Sequence, residues 1–302
     1  MSVSRKHVVS VGLGSSSRDA HIETELLAQP ILIERRGSDG SLQKAAAMLD
    51  ELDGKVDAFG LGGTDLFIQA GDRRYYIRDA VNLAKHAKQT PIVCGAGLKN
   101  TLERMVVRQL DANIGWQGKR VLMLSGLDRF GMAETLDELG ADMLYADLIY
   151  ILGVPVKMHS LKSLSRLTRV VAPIATKLPM SWLYPTGSKQ ESSEAGWRAK
   201  YFEWADIIAG DFLFVKRYAP KDLKGKIILT NTTTSENVED MKTRGVKTLI
   251  TTTPRFSGRS LSTNMLEAAF VALSGKHPLS ETDYRDLIER SGIAPDSLEL
   301  NP

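Results

Sequence analysis

Residues 119–147, KRVLMLSGLDRFGMAETLDELGADMLYAD, decide how the fold is read. Val121–Leu124 is an apolar run, Ser125–Gly131 a glycine-bearing turn, and Met132–Leu139 repeats apolar residues at helical spacing up to Gly140. Met143–Tyr145 is a second apolar run, ending at Asp147. Strand, helix and strand in this length predict a βαβ unit, whose two strands lie parallel. Further strands are predicted at 205–209, 226–230 and 248–252, the last two separated by a helical pattern over 235–244. A parallel sheet connects them most economically.

The same turn suggests a ligand. A glycine turn at a helix N-terminus holds a diphosphate, and an acidic residue about 20 positions on accepts ribose hydroxyls. Gly126 and Asp147 have that spacing, and Gly131 stands where the third glycine belongs. Asp128 replaces the middle glycine and puts a carboxylate where the diphosphate would lie, with Arg129 beside it as a compensating charge. Gly126, Arg129, Gly131 and Asp147 are therefore candidate cofactor contacts, NAD being favoured over NADP because Asp147 would repel a 2′-phosphate. The alternative is a structural βαβ unit with an ordinary turn.

Outward from this unit, the first hundred residues read as short strands with two helices interposed: strands at 8–13, 21–27 and 31–35, a helix at 41–52, and a strand at 56–61. A hairpin is predicted over 66–77 around Gly71-Asp72, then a helix at 79–87 and a strand at 91–94. Leu98, Leu102, Met105, Val106 and Leu110 form one face of a helix over 98–114, with Lys99, Glu103, Arg104 and Arg108 off it. Helices at 264–273 and 278–291 close the chain. These elements predict an α/β protein of two domains: an N-terminal α/β substrate domain (1–115) and a Rossmann-like parallel-sheet domain (116–260) with a basic helical insertion (148–200). The C-terminal helices (261–302) are expected to pack back on the first domain.

Other turns offer further candidates. Gly12–Arg18, GLGSSSR, presents amides, hydroxyls and a guanidinium to an anion through Ser15, Ser16 and Arg18, or is simply a polar hairpin loop. Two threonine-rich strand ends, 230–234 and 251–255, lie at the edge where an open sheet takes ligands. Asn231, Thr232 and Thr252 are assigned there to the cofactor and Arg255 to the substrate, although threonine is also a common strand former. Lys99, after Gly95-Ala96-Gly97, and Asp65, after Gly62-Gly63-Thr64, are the candidates for proton transfer. Arg78 and Asn100 complete the expected substrate contacts, while Asp79 reads more simply as a helix N-cap.

Composition narrows the classes. Of 302 residues, 39 are Lys or Arg and 36 Asp or Glu, a net +3 too balanced for a general nucleic-acid binder. The single cysteine, Cys94, excludes an internal disulfide framework and suits a cytoplasmic protein. The five scattered histidines give no metal-ligand spacing, so no metal is expected. No signal peptide and no apolar run long enough for a spanning helix is found. From Leu148 to Gln190 there is no acidic residue, and Leu161, Leu164, Leu167, Val171, Ile174 and Leu178 form a helical stripe amid six cations. That segment reads first as a lid or a homodimer face and second as a surface for anionic lipid or an acidic partner. Trp182–Gln190 reads as a substrate-cleft loop.

Five stretches, GLGSSSRD (12–19), KVDAFGLGGTD (55–65), YIRDA (76–80), GLKNTLER (97–104) and DRFGMA (128–133), resemble bacterial proteins labelled quinate 5-dehydrogenase. The resemblance covers nearly the whole chain, and 205–210 and 258–268 are similar in position to later segments of the wider quinate/shikimate dehydrogenase family. It implies an N-terminal substrate domain, a Rossmann domain and a terminal helix returning to the first. That family's Ser-x-Ser-Pro and Asn-x-Thr-x-Pro-x-Lys motifs have no match, so no catalytic residue carries over. The sequence therefore predicts an NAD-dependent oxidoreductase of a small polyol or hydroxy acid, with a polar or anionic substrate. The alternatives are a transferase of a phosphorylated or nucleotide-bearing substrate, or a non-catalytic metabolite-binding or membrane-surface protein of the same architecture.

Overall fold

A computed structural model describes residues 5–70, 73–178, 196–256 and 259–302. The Gly71-Asp72 turn and the Trp182–Gln190 loop lie outside the described residues. In chain order the elements begin β1 (Lys6–Gly12), β2 (Ala20–Leu26), β3 (Gln29–Gly37), α1 (Leu42–Leu52), β4 (Ala58–Gly62), β5 (Phe67–Ala70), β6 (Arg73–Tyr76), α2 (Arg78–Ala84), β7 (Ile92–Val93) and α3 (Ala96–Ile114). They continue β8 (Arg120–Met123), α4 (Phe130–Glu138), β9 (Asp142–Tyr145), α5 (Asp147–Tyr150), α6 (Leu161–Ala175), α7 (Ala199–Trp204), β10 (Ile207–Ala209), α8 (Phe212–Tyr218) and β11 (Ile227–Thr230). The chain closes with α9 (Ser235–Thr243), β12 (Thr248–Thr251), β13 (Arg255–Phe256), β14 (Arg259–Ser260), α10 (Thr263–Ser274), α11 (Glu281–Ser291) and β15 (Asp296–Glu299).

The protein is α/β, with two parallel-rich sheets. The first runs β2-β3-β1-β4-β7 and the second β15-β12-β11-β10-β8-β9; β2 and β15 are the antiparallel edge strands. From β1 the chain goes to β3 on one side and then to β4 on the other. From β8 it goes to β9 and then across to β10. Each sheet thus has a switch point, where diverging connections leave a crevice at the strands' carboxyl ends.

Alternation along the strands divides the core. In β8, Val121 and Met123 face the helices shared with the first sheet, whereas Leu122, and Leu124 just past the strand, face α7 and α8. In β1, Val9 and Val11 pack toward α1 and α2, and Val8 packs the other way. One apolar cluster contains Val8, Ile31 and Ile33 of the first sheet, Val121, Met123 and Leu229 of the second, and α3, α10 and α11 residues between them.

Several boundaries move. Ser41 caps α1 through Lys44 N as its spacing implies, but Asp79 is no cap; α2 is entered at Ile77, with Asp79 in the first turn. The β2–β3 turn is made by Leu27 and Ala28, both at positive φ, and Pro30 lies inside β3 opposite Glu25. The strand expected from 205 begins at 207 because 199–204 is helical. Helix α8 and edge strand β15 have no counterpart in the sequence reading.

Candidate functional site

The two switch points meet in one charged cluster. From the first sheet, Asp65 follows β4; from the second, Asp128 and Arg129 follow β8 and Asp211 follows β10. Lys99 and Glu103, one turn apart on α3, stand between them. Lys99 Nζ donates to Asp65 Oδ2 at 3.0 Å and to Asp128 Oδ1 at 2.7 Å. Arg129 donates to Glu103 in a very short contact, and to Asp211 Oδ2 at 3.0 Å. Asn231 Nδ2 donates to Asp211 Oδ2 at 2.9 Å, which joins the end of β11 to the same set.

Lys99, Glu103 and Arg129 are buried at 7%, 0% and 3% exposure. Burial disfavours all three charges, and mutual pairing offsets that cost. For Lys99, burial works against the charge, but Asp128 and Asp65 overcome it and hold the ammonium protonated above its ordinary range. Burial pushes Glu103 up to about 7 in spite of Arg129. Burial raises Asp65 well above the carboxylate range, with Asp128 adding to the shift, whereas Lys99 holds Asp128 below it against its own burial. A lysine held as ammonium between Asp128 and Asp65 donates hydrogen bonds and does not serve as a general base.

A cavity of about 20 Å³ lies within the cluster, lined by Asp65, Lys99, Asn100, Glu103, Asp128 and Arg129 together with Phe67, Ile68 and Phe130. It holds about one water. Glu103 Oε2 and Arg129 Nε are buried there without a hydrogen-bond partner among the described residues.

The structure therefore brings together Lys99, Asp65, Asn100, Arg129 and, through Asp211, Asn231. Gly131 lines the same cavity, but a Cβ on it would stand 2.6 Å from Asn100 O, so the glycine lets α4 approach α3. Gly126 and Asp147 belong to a separate arrangement. Asp147 accepts from Gly126 N at 3.2 Å and Leu127 N at 2.8 Å, and burial pushes its carboxyl up to about 7 against those bonds. Leu164 of α6 lies against Gly126, 2.9 Å from where a Cβ would sit. The amides that would face a diphosphate are taken by the chain's own carboxylate.

The remaining candidates lie outside the cavity lining. Ser15 caps the short turn Ser16–Arg18, and Ser16 N donates to Asp39 Oδ1 at 2.7 Å. Arg18 lies against Gly14, on the same loop. Arg78 is largely exposed beside Asp79, at 3.2 Å. Arg255 donates to Asp296 Oδ2 at 2.8 Å and Thr233 Oγ1 at 3.0 Å, tying β13 to the edge strand. Thr252 is buried and Thr232 half-buried. The sequence reading missed Glu103 and Asp211 as site residues, and set Glu103, like Lys99, off the apolar face of their helix. Their four-residue spacing was the available signal; what buries them is α4 and the β8 turn, which periodicity within α3 cannot register.

Residues 97–300, more than half of the chain, match a family described as "Domain of unknown function (DUF8754)", and residues 7–94 match a second, "Domain of unknown function (DUF8753)". Asp65 falls in the second match and the rest of the cluster in the first. No curated protein matches the sequence. Among solved structures, the arabinose-binding periplasmic component of an ABC transporter from Shewanella sp. ANA-3 is 9% identical, covering 95% of this chain and 96% of that one at a TM-score of 0.36. An ABC transporter solute-binding protein from Agrobacterium vitis with bound allitol is 10% identical over 96% and 100%, at 0.36. Glutamate dehydrogenase from Thermus thermophilus is 11% identical over 95% and 73%, at 0.42. At these values the likeness carries no argument about a ligand.

The expectation of an NAD-dependent oxidoreductase is corrected. Within the chain, the proposed proton acceptor Lys99 is a clamped ammonium, and the glycine turn is closed by Asp147.

Proposed function

We propose that this chain, which belongs to the family described as domain of unknown function DUF8754, is a non-catalytic binding protein for a small, uncharged, hydroxyl-bearing metabolite taken up between its two sheets. The observation that carries the reading is the convergence of both switch points on Asp65, Lys99 and Asp128. Carboxyl oxygens that accept and an ammonium that donates, beside Phe67 and Phe130, are the groups that bind a polyol's alternating hydroxyls and carbon face. Asp128 and Asp211 already balance Lys99 and Arg129, so the cluster has no surplus cation to offer an anionic ligand. The second sheet runs β9-β8-β10-β11-β12 with antiparallel β15 at its edge, a flavodoxin-like doubly-wound order and not the dinucleotide-binding one, and its switch point between β8 and β10 is the scaffold for Asp128, Arg129 and Asp211.

A cavity for one water does not admit a sugar, so binding has to part Asp65 from Asp128 around Lys99 and exchange the ion pairs for ligand hydrogen bonds. Calorimetric titration of the full chain with a panel of pentoses, hexoses and linear polyols tests this. A saturable heat is expected with at least one, lost in Lys99→Met. Heat only with nicotinamide cofactors, accompanied by turnover of a hydroxy acid, would defeat the reading.

A further inference from the structure

Exposed apolar surface is concentrated where the acidic residues are missing. Every residue of Ile151-Leu152-Gly153-Val154-Pro155-Val156-Lys157 is exposed, including four large aliphatic side chains in six positions. Arg198 lies against this loop: its guanidinium is beside Gly153 and its Nε donates to Ile149 O at 3.0 Å. The same guanidinium covers the ring of Trp197, which is 43% exposed, at 4.9 Å. Lys157 and Lys200 both stand over the Tyr201 ring, at 5.6 and 5.2 Å. Aliphatic loop, exposed indole and three cations thus share one neighbourhood.

Helix α6 follows three residues after the loop, capped by Ser160. It buries Leu164, Thr168 and Ala172 at four-residue spacing, continued by Thr176 at its C-cap. Its opposite side exposes Lys162, Arg166, Val170 and Ile174, with Arg169 and Lys177 on the adjoining row. Residues 148–202 contain eight Lys or Arg against Glu191 and Glu194, while the whole chain is only +3, so the rest of the molecule is net negative.

We propose that the loop 151–157, Trp197 and the outer side of α6 form a docking face for an anionic lipid surface. Scattered aliphatic residues on a surface are ordinary, but a run of them ringed by cations and an indole matches an interface with an apolar interior and negative headgroups. A second copy would set like charges against each other across a two-fold axis, which disfavours self-association through this face. No helix among the described residues is long and apolar enough to cross a membrane, so attachment is peripheral and reversible.

The test is flotation of the full chain with vesicles of phosphatidylcholine, alone or with about a third phosphatidylglycerol, a composition that carries the negative surface potential required. Binding is expected to the anionic vesicles only, falling at least about tenfold when salt is raised from roughly 0.05 to 0.5 M. Leu152→Glu with Val154→Glu, and separately Lys162→Glu with Arg166→Glu, are each expected to lower it by more than about tenfold. All four positions are exposed, and unchanged circular-dichroism melting identifies folded variants. Absence of flotation, equal flotation with neutral vesicles, or indifference to both double variants overturns the proposal. A dimer that dissolves in these variants without any flotation would assign the face to a second copy instead.

Discussion

Two glycine turns, each following the first strand of its sheet, look alike in sequence and differ in what surrounds them. Gly12–Arg18 after β1 and Ser125–Gly131 after β8 were both expected to hold an anion. Both hold one already, supplied by the chain. In the first, Asp39 accepts from Ser16 N, and Asp19 accepts from Gly37 N and Arg35. In the second, Asp147 accepts from Gly126 N and Leu127 N. The first is open to water, and hydrogen bonds from Lys44 and Ser16 bring Asp39 down to about 2. The second is sealed under α6, and burial brings Asp147 up to about 7. The same kind of bond therefore settles a carboxylate's charge at the surface and only moderates its cost inside.

The largest effect is expected where the second turn meets the crevice. Arg129→Met leaves Glu103 and Asp211 without their cation and is expected to cost about 3–5 kcal/mol in urea unfolding. Adding Glu103→Gln should recover part of that loss. A cost within about 0.5 kcal/mol, as at an ordinary surface site, would show the cluster to be no more demanding than the first turn.

Asp147 sharpens the contrast through pH. Its folded pKa lies above the unfolded value of 3.8, so the stability it contributes is full below about pH 4 and is lost as pH rises through about 7. Glu103, also raised to about 7, acts in the same window. Thermal melting is expected to fall between about pH 4 and 7 by the equivalent of about a few kcal/mol, and Asp147→Asn to flatten, without abolishing, that slope. An unchanged slope would place the titration elsewhere.

Glycine substitutions compare the two turns sterically. A Cβ at Gly37 would meet backbone, Ser15 O at 2.6 Å, whereas at Gly126 it meets the end of the Leu164 side chain at 2.9 Å. Gly37→Ala is expected to destabilise by about 2 kcal/mol and Gly126→Ala by about 1, the flexible neighbour giving way more easily. The reverse order in denaturant unfolding would mean that α6 is the more rigid wall.

The smallest effect is expected at Asp39→Asn. Because Asp39 is depressed and exposed, its contribution is present above about pH 4 and lost as pH falls through about 2. Melting at pH 7 should drop slightly, and not at all at pH 2. A large drop would break the distinction between an open and a sealed turn.

The βαβ unit, the parallel strands and the inward stripe of α3 were legible because they are local patterns: strand runs, glycine punctuation and helical spacing all lie within about twenty residues. Lys99 and Asp65 were singled out for standing after glycine turns at strand ends, and they do meet. Their partners were not legible. Glu103 reads as a residue off the apolar face of α3, and Asp211 as the residue after a short strand. Each becomes part of the cluster only because Arg129 reaches both from another element. Arg18 and Arg255, chosen for their charge, are instead engaged with their own loop and with the edge strand.

The sequence by itself determined that this chain makes short strands punctuated by glycine turns in its first hundred residues and a parallel set from residue 119 on, because periodicity and turn chemistry act on neighbours in the chain. Only the tertiary structure decided what those turns do. It brought Asp65 next to Lys99, 34 positions on, and Asp211 next to Arg129, 82 positions on, in a space with room for one water. There burial raises the energy of every unpaired charge, so the partner across the crevice fixes whether a group is a free acid or base or one member of an ion pair, and spacing along the chain holds no record of that partner.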